Sequence, residues 1–236
     1  MNCKHHNIFG NKWLLTLAVC ACIIISGCNK SNQRGEITEG SIKFKITYLK
    51  SEQENPIIGL LPSTIMMRFK DDKVQLDMQG WLGIFRSSFI KNDDKNAYTL
   101  LKILNNKYLY VSEPNEGYYG MRKVDNMQID FDNQTKDIIG FDCKHAVITI
   151  PDLCKFDVYY TDEIKIKDAT ANTPLDKIPG MLMDFRLEMN GIPMHLEAIE
   201  FLNEEVPESS FEIPEDYTRI ERSQMDDIFN SIGQSH

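Results

Sequence analysis

Asn190-Gly191 lies between two stretches in which apolar and polar residues alternate. Asn-Gly favours the type I′ turn of a two-residue hairpin, and such a turn sets the register on both sides of it. Met189 then opposes Ile192, Leu187 opposes Met194, Phe185 opposes Leu196, and Met183 opposes Ala198. All four pairs are apolar. The other face pairs Glu188 with Pro193, Arg186 with His195, and Asp184 with Glu197. A slip of one residue would turn the apolar set to solvent. The chain must therefore build an antiparallel sheet with one buried face.

The same alternation recurs upstream. Ile42, Phe44, Ile46 and Tyr48 alternate with Lys43, Lys45 and Thr47, the pattern of a half-buried strand. Strands are predicted at 64–69 and 74–78 around an Asp71-Asp72 turn, and at 81–90 and 97–104 around a polar turn at 92–96. Asn105-Asn106 is predicted to turn the chain into a strand at 108–112, and 113–120 reads as loop. Further strands are predicted at 127–131, 138–141, 144–150 and 156–160. Only two places read as helical. One is a turn at 57–61. The other is a C-terminal helix capped by Ser223, with an apolar stripe of Met225, Ile228, Phe229 and Ile232, ending at Gly233. The expected fold is mainly β and antiparallel. Periodicity alone does not separate a barrel from a sandwich.

The N-terminus carries a different signal. Lys4 and Lys12 precede an uncharged apolar run from Trp13 to Ile25. That run is too short to span a bilayer, which takes about 20 helical residues, and it suits the apolar region of a signal peptide. Ile25-Ser26-Gly27-Cys28 resembles the lipobox of bacterial lipoproteins. The resemblance implies lipidation of Cys28, cleavage before it, and membrane attachment through the lipid; Asn29 in the following position favours the outer membrane. The expected layout is a signal peptide at 1–27, a lipidated and flexible segment at 28–40, a β body at 41–222 and a short helical tail at 223–236. Without Lys4 and Lys12, 24 basic residues face 35 acidic ones, a formal charge of −11. Such a chain is not drawn to nucleic acid, whose affinity comes from Lys and Arg neutralising phosphates.

No nucleophile elbow, zinc-protease helix, phosphate loop or paired C-x-x-C motif is present. Downstream of Cys28 the histidines are His145, His195 and the terminal His236, too few and too scattered for a triad or a metal centre. His195 is expected to be exposed near Arg186. Asp125, Asp130, Asp132 and Asp137 cluster, but Thr135 and Phe141 stand where a calcium loop of the EF-hand type needs Gly and Glu. They read as solvated turn residues. Asp162 and Glu163, if adjacent on a strand, point to opposite faces. No catalytic residue, metal or cofactor is expected. Cys143 and Cys154 remain for a disulfide, but a hairpin turn at Pro151-Asp152 would set Cys143 opposite Thr161, about 20 Å along the ladder from Cys154. Bridged cysteines need Cα atoms within about 7 Å.

Ten methionines follow Met1. Met66, Met78, Met183, Met189 and Met194 fall on expected inward faces, either as core filling or as a deformable wall for acyl chains. The candidate apolar ligand face is the hairpin surface of Met183, Phe185, Leu187, Met189, Ile192, Met194 and Leu196.

Three stretches, in order, carry a family likeness: Asp137-Ile138-Ile139-Gly140-Phe141-Asp142-Cys143-Lys144-His145-Ala146, then Phe156-Asp157-Val158-Tyr159-Tyr160-Thr161-Asp162-Glu163-Ile164, then Ile178-Pro179-Gly180-Met181-Leu182-Met183. Together they resemble the GLPGLI family and related lipoproteins of Bacteroides-type bacteria, although Lys177-Ile178 replaces the first Gly-Leu of that signature. The resemblance implies a LolA/LolB-like fold: a strongly curved antiparallel sheet, an incomplete barrel, with short helices on its concave side. By fold analogy it implies a non-enzymatic protein that binds a lipid or other apolar ligand. The alternative is a structural or partner-binding lipoprotein of the cell envelope with a closed core.

Overall fold

The computed structural model describes residues 35–51, 56–80, 83, 85–94, 96–121, 124, 126–151 and 154–233. The expected signal peptide, Cys28, Asp125 and Asp152 lie outside these residues. Glu36–His236 forms one compact unit.

Alternation becomes twelve strands: β1 (Glu39–Tyr48), β2 (Thr64–Lys70), β3 (Lys73–Gln79), β4 (Phe85–Lys91), β5 (Ala97–Ile103), β6 (Asn106–Val111), β7 (Gln128–Ile138), β8 (Phe141–Ile150), β9 (Cys154–Thr161), β10 (Met181–Met189), β11 (Ile192–Leu202) and β12 (Thr218–Arg219). They form one sheet in the order β12-β6-β5-β4-β3-β2-β1-β11-β10-β9-β8-β7. Every pairing is antiparallel except that of β12 with β6. The sheet is not closed, so the fold is an incomplete antiparallel barrel. Laid flat, twelve strands at about 4.8 Å each would be over 50 Å wide. Instead, Phe44 of β1, Phe89 of β4 and Met181 of β10 line one cavity, which requires a curled sheet.

The hairpin register holds residue for residue from Asp184–Glu197 to Met189–Ile192. Asn190 and Gly191 both have positive φ, as a type I′ turn demands. Several expectations are corrected. Residues 138–141 are not a strand: Ile139 and Gly140 are a second positive-φ turn, joining β7 to β8. The β5–β6 turn is Leu104-Asn105, since Ile103 pairs with Asn106. On β2 it is Met67, not Met66, that lies in the core, flanked by Ile65 and Phe69. Asp162 and Glu163 follow β9 rather than belonging to it. The expected tether ends early, because Ile37 is buried and bridges to Ile164.

The inner face is covered by the chain's own connections. Residues 112–121 cross it, burying Tyr118 against Phe89 with ring centroids 5.5 Å apart. Residues 162–180 lie beside them, and the Tyr118 amide donates to the Asn172 carbonyl. Both are loops, where the family likeness implied short helices. Among the described residues one α-helix, α1 (Arg222–Gly233), is present, and it covers Leu101, Tyr110 and Tyr119 with Met225, Ile228 and Phe229. It starts at Arg222, before the expected cap, and the Gln224 side chain instead accepts from the Glu221 amide. Ile232's side chain lies outside the described residues.

Residues 203–217 cross the outer face, seating Val206 and Phe211 on Ile90 and Leu100. An ionic clasp holds this crossing. Glu39 Oε1 accepts from the Val206 amide at 2.6 Å, Lys70 donates to the Val206 carbonyl, and Glu208 pairs with Lys73 at 2.7 Å. The Val206 N–H holds the Glu39 carboxyl below its usual range, and Lys73 does the same for Glu208. A depressed native value stabilises the fold above the ordinary carboxylate range of about pH 4 and is lost as pH falls through the native value. Amide exchange, corrected for its intrinsic pH dependence, should therefore lose protection at Val206 on acidification before it does in the centre of β1. Simultaneous loss would contradict the clasp.

Candidate functional site: the concave cavity

The hairpin surface singled out from the sequence is interior. Met183, Phe185, Met189, Met194 and Leu196 are buried, while Leu187 and Ile192 are half-buried. Phe185, Leu187, Met189 and Leu196 line a cavity; Met183, Ile192 and Met194 do not. Phe185 meets Phe44 edge-on at 5.8 Å. Opposite stand Met67, Met78 and Phe89, and the roof is Tyr118, Met121, Ala169, Thr170, Ala171 and Thr173. Five methionines (Met67, Met78, Met121, Met181 and Met189) line it.

The remaining space is about 30 Å³. That holds about two waters, whereas a benzene-sized guest occupies a dry cavity of roughly 150 Å³. The polar groups of the roof are occupied. Thr170 Oγ1 donates to the Ile178 carbonyl and Thr173 Oγ1 to the Thr170 carbonyl. Burial pushes the Tyr118 phenol above its ordinary range, keeping it neutral.

The loop at 162–180 is tied to the sheet by a strap that sequence reasoning missed. Lys91 is buried, and its Nζ donates at 2.8 Å to the carbonyls of both Asp72 and Lys167. Asp72 Oδ1 accepts from the Lys167 amide, and the Lys165 amide donates to the Ile37 carbonyl. Burial lowers the Lys91 pKa. The available signal was a lysine two positions after Phe89, on the inward parity of an apolar strand.

The Ile178-Pro179-Gly180 segment returns this loop to the sheet. Gly180 has φ +113°, and a Cβ there would lie 2.5 Å from the Thr161 carbonyl oxygen. Gly191 also has positive φ but open space around it. Gly191→Ala should therefore cost about 1 kcal/mol, the left-handed penalty alone. Gly180→Ala should cost roughly 3 kcal/mol or more, from strain plus a backbone clash. Urea unfolding of the two variants checks the order, and equal losses would refute the contact.

On the outer face, His145 is brought between two carboxylates. Its Nδ1 is 2.8 Å from Asp132 Oδ2 and its Nε2 is 3.1 Å from Asp157 Oδ1. Tyr159 packs on the ring at 4.8 Å, Lys136 sits over Tyr159, and Lys136 and His195 both reach Asp184. His195 is thus partly covered and paired with Asp184, not simply exposed beside Arg186. Asp130, Asp132 and Asp137 lie on β7 rather than in a turn, which corrects that reading. The Gln134 amide, ahead of His145, holds the Asp132 carboxyl below its usual range. Among the described residues, no three His, Cys, Asp or Glu side chains are placed to hold a metal ion. Ile150 does pair with Cys154, and both cysteines are free. Burial pushes the Cys143 thiol up to about 12, leaving it unreactive.

No family model matches the chain, and no curated protein does.

Proposed function

We propose that the chain is a non-enzymatic lipoprotein, attached through a lipid on Cys28 to the outer membrane and facing the periplasm or the cell surface. Its β body works through its exterior, as a structural or partner-binding member of a cell-envelope complex. The attachment rests on the n-region, the apolar run and the Ile25-Ser26-Gly27-Cys28 segment. The closed-core part rests on one observation: the concave side is filled by the chain's own loops, leaving about 30 Å³. Kinship with the GLPGLI-like lipoproteins and the LolA/LolB-like fold is proposed on the three ordered segments, and an unclosed antiparallel sheet with a filled concavity is compatible with it.

A second reading keeps a lipid or other apolar ligand in the concavity. The five methionines favour it, since thioether side chains repack readily. It requires displacement of Ala169, Thr170, Ala171 and Thr173, which roof the space.

Native mass spectrometry of residues 29–236, expressed in a bacterial periplasm and purified without detergent, separates the two. The closed-core reading expects the bare chain mass, unchanged after incubation with envelope phospholipid. A discrete added mass that extracts into chloroform would replace it with the ligand reading.

A further inference from the structure

The two edges of the sheet are treated differently. At one, the two-residue parallel strand β12 caps β6 at Tyr108 and Leu109. At the other, β7 pairs only with β8 among the described residues and offers eleven residues of edge, almost all exposed. A long free edge is a template for another chain, and proteins blunt such edges with bulges and charges. β7 carries both. Phe131 pairs with Ala146 and Thr135 with Lys144, so three residues, Asp132–Gln134, stand opposite the single residue His145. A bulge of this kind bends the strand and interrupts its ladder.

One carboxylate holds the bulge in shape. Asp132 accepts from the Gln134 amide at 2.8 Å and from Gln134 Nε2 at 3.1 Å, which folds the segment back on itself. The same carboxylate meets Nδ1 of His145, whose ring is buried and held from the far side by Asp157 of β9. The bulge is therefore fastened to the second and third strands of the sheet through a buried ring.

We propose that this fastening is a guard, and that β7, once released from it, pairs antiparallel with β7 of a second copy of the chain. The occupant follows from charge. Pairing centred on Asn133 sets Asp130 opposite Lys136 twice, once in each half, so that Lys136 lies between Asp184 of its own chain and Asp130 of the second copy, and it sets Phe131 opposite Thr135. Opposite charges directly across an antiparallel ladder favour the pairing, and like charges oppose it. The guard stands on the edge geometry alone and does not depend on the anchor or on what the core holds.

Light scattering after size exclusion, with residues 29–236 over a range of concentrations, tests it. The unaltered chain should have the monomer mass throughout. Asp132→Ala, at a partly exposed position outside the hydrophobic core, should move toward twice that mass as concentration rises, with new amide-exchange protection at residues 129–137. Adding Asp130→Lys, which sets Lys against Lys136 and leaves the Lys136–Asp184 pair in place, should return it to the monomer. His145→Gln should act as Asp132→Ala does. A folded Asp132→Ala chain that stays monomeric would overturn the proposal. So would a dimer protected elsewhere, or an unaltered chain already dimeric through β7.

Discussion

One constraint governs this fold: a single large sheet whose inner face is apolar must find cover for that face. The hairpin of β10 and β11 sets the problem, because its register sorts Phe185, Met189, Met194 and Leu196 to one side without exception. Burial at about 25 cal/mol per Å² of apolar surface is the main favourable term in folding, and a sheet that leaves its apolar face in water forgoes that term there. No second sheet is present among the described residues. The sheet instead curls, bringing β1, β4 and β10 around one core, and two loops and a helix fill what the curl leaves open.

The coarse architecture was legible in the sequence because period two is a local signal. The turn at Asn190-Gly191 and the Ile42-to-Tyr48 alternation both survive to the residue, and so does the Ile150–Cys154 pairing that keeps the cysteines apart. What was not legible is what depends on distant partners. Met66 and Met67 are neighbours of the same type, and only tertiary pairing decides which faces inward. Ile139-Gly140 hid inside an apolar run because Ile is a rare occupant of positive φ, tolerated here by a tight turn. The parallel strand β12 is two residues long, too short to carry any period. Lys91 reads as a solvated strand end until the carbonyls of Asp72 and Lys167 are brought to it.

The candidate site shows the same division. The apolar face of the hairpin was readable, but whether it lines a pocket or fills a core depends on the loops at 112–121 and 162–180, whose sequences show no periodicity. Their packing against Phe89, Met67 and Met78 leaves a space too small for a chain or a ring. The polar chemistry moves outward accordingly. His145, flanked by Asp132 and Asp157, and the Lys136–Asp184–His195 chain give the outer face of β7 to β11 its character. Residues on separate strands converge there only because the register places Tyr159 between His145 and Asp184.

The interior is closed by the chain itself. Methionine methyl NMR on residues 29–236 tests it most directly, because Met67, Met78, Met121, Met181 and Met189 report from the cavity wall and Met66 from outside the core. Titration with a fatty acid below its micelle concentration should leave all five wall resonances in place, with any change confined to exposed methyls. Concerted, saturable shifts of those five, with Met66 unmoved, would show that the roof opens to admit a ligand and would contradict the account.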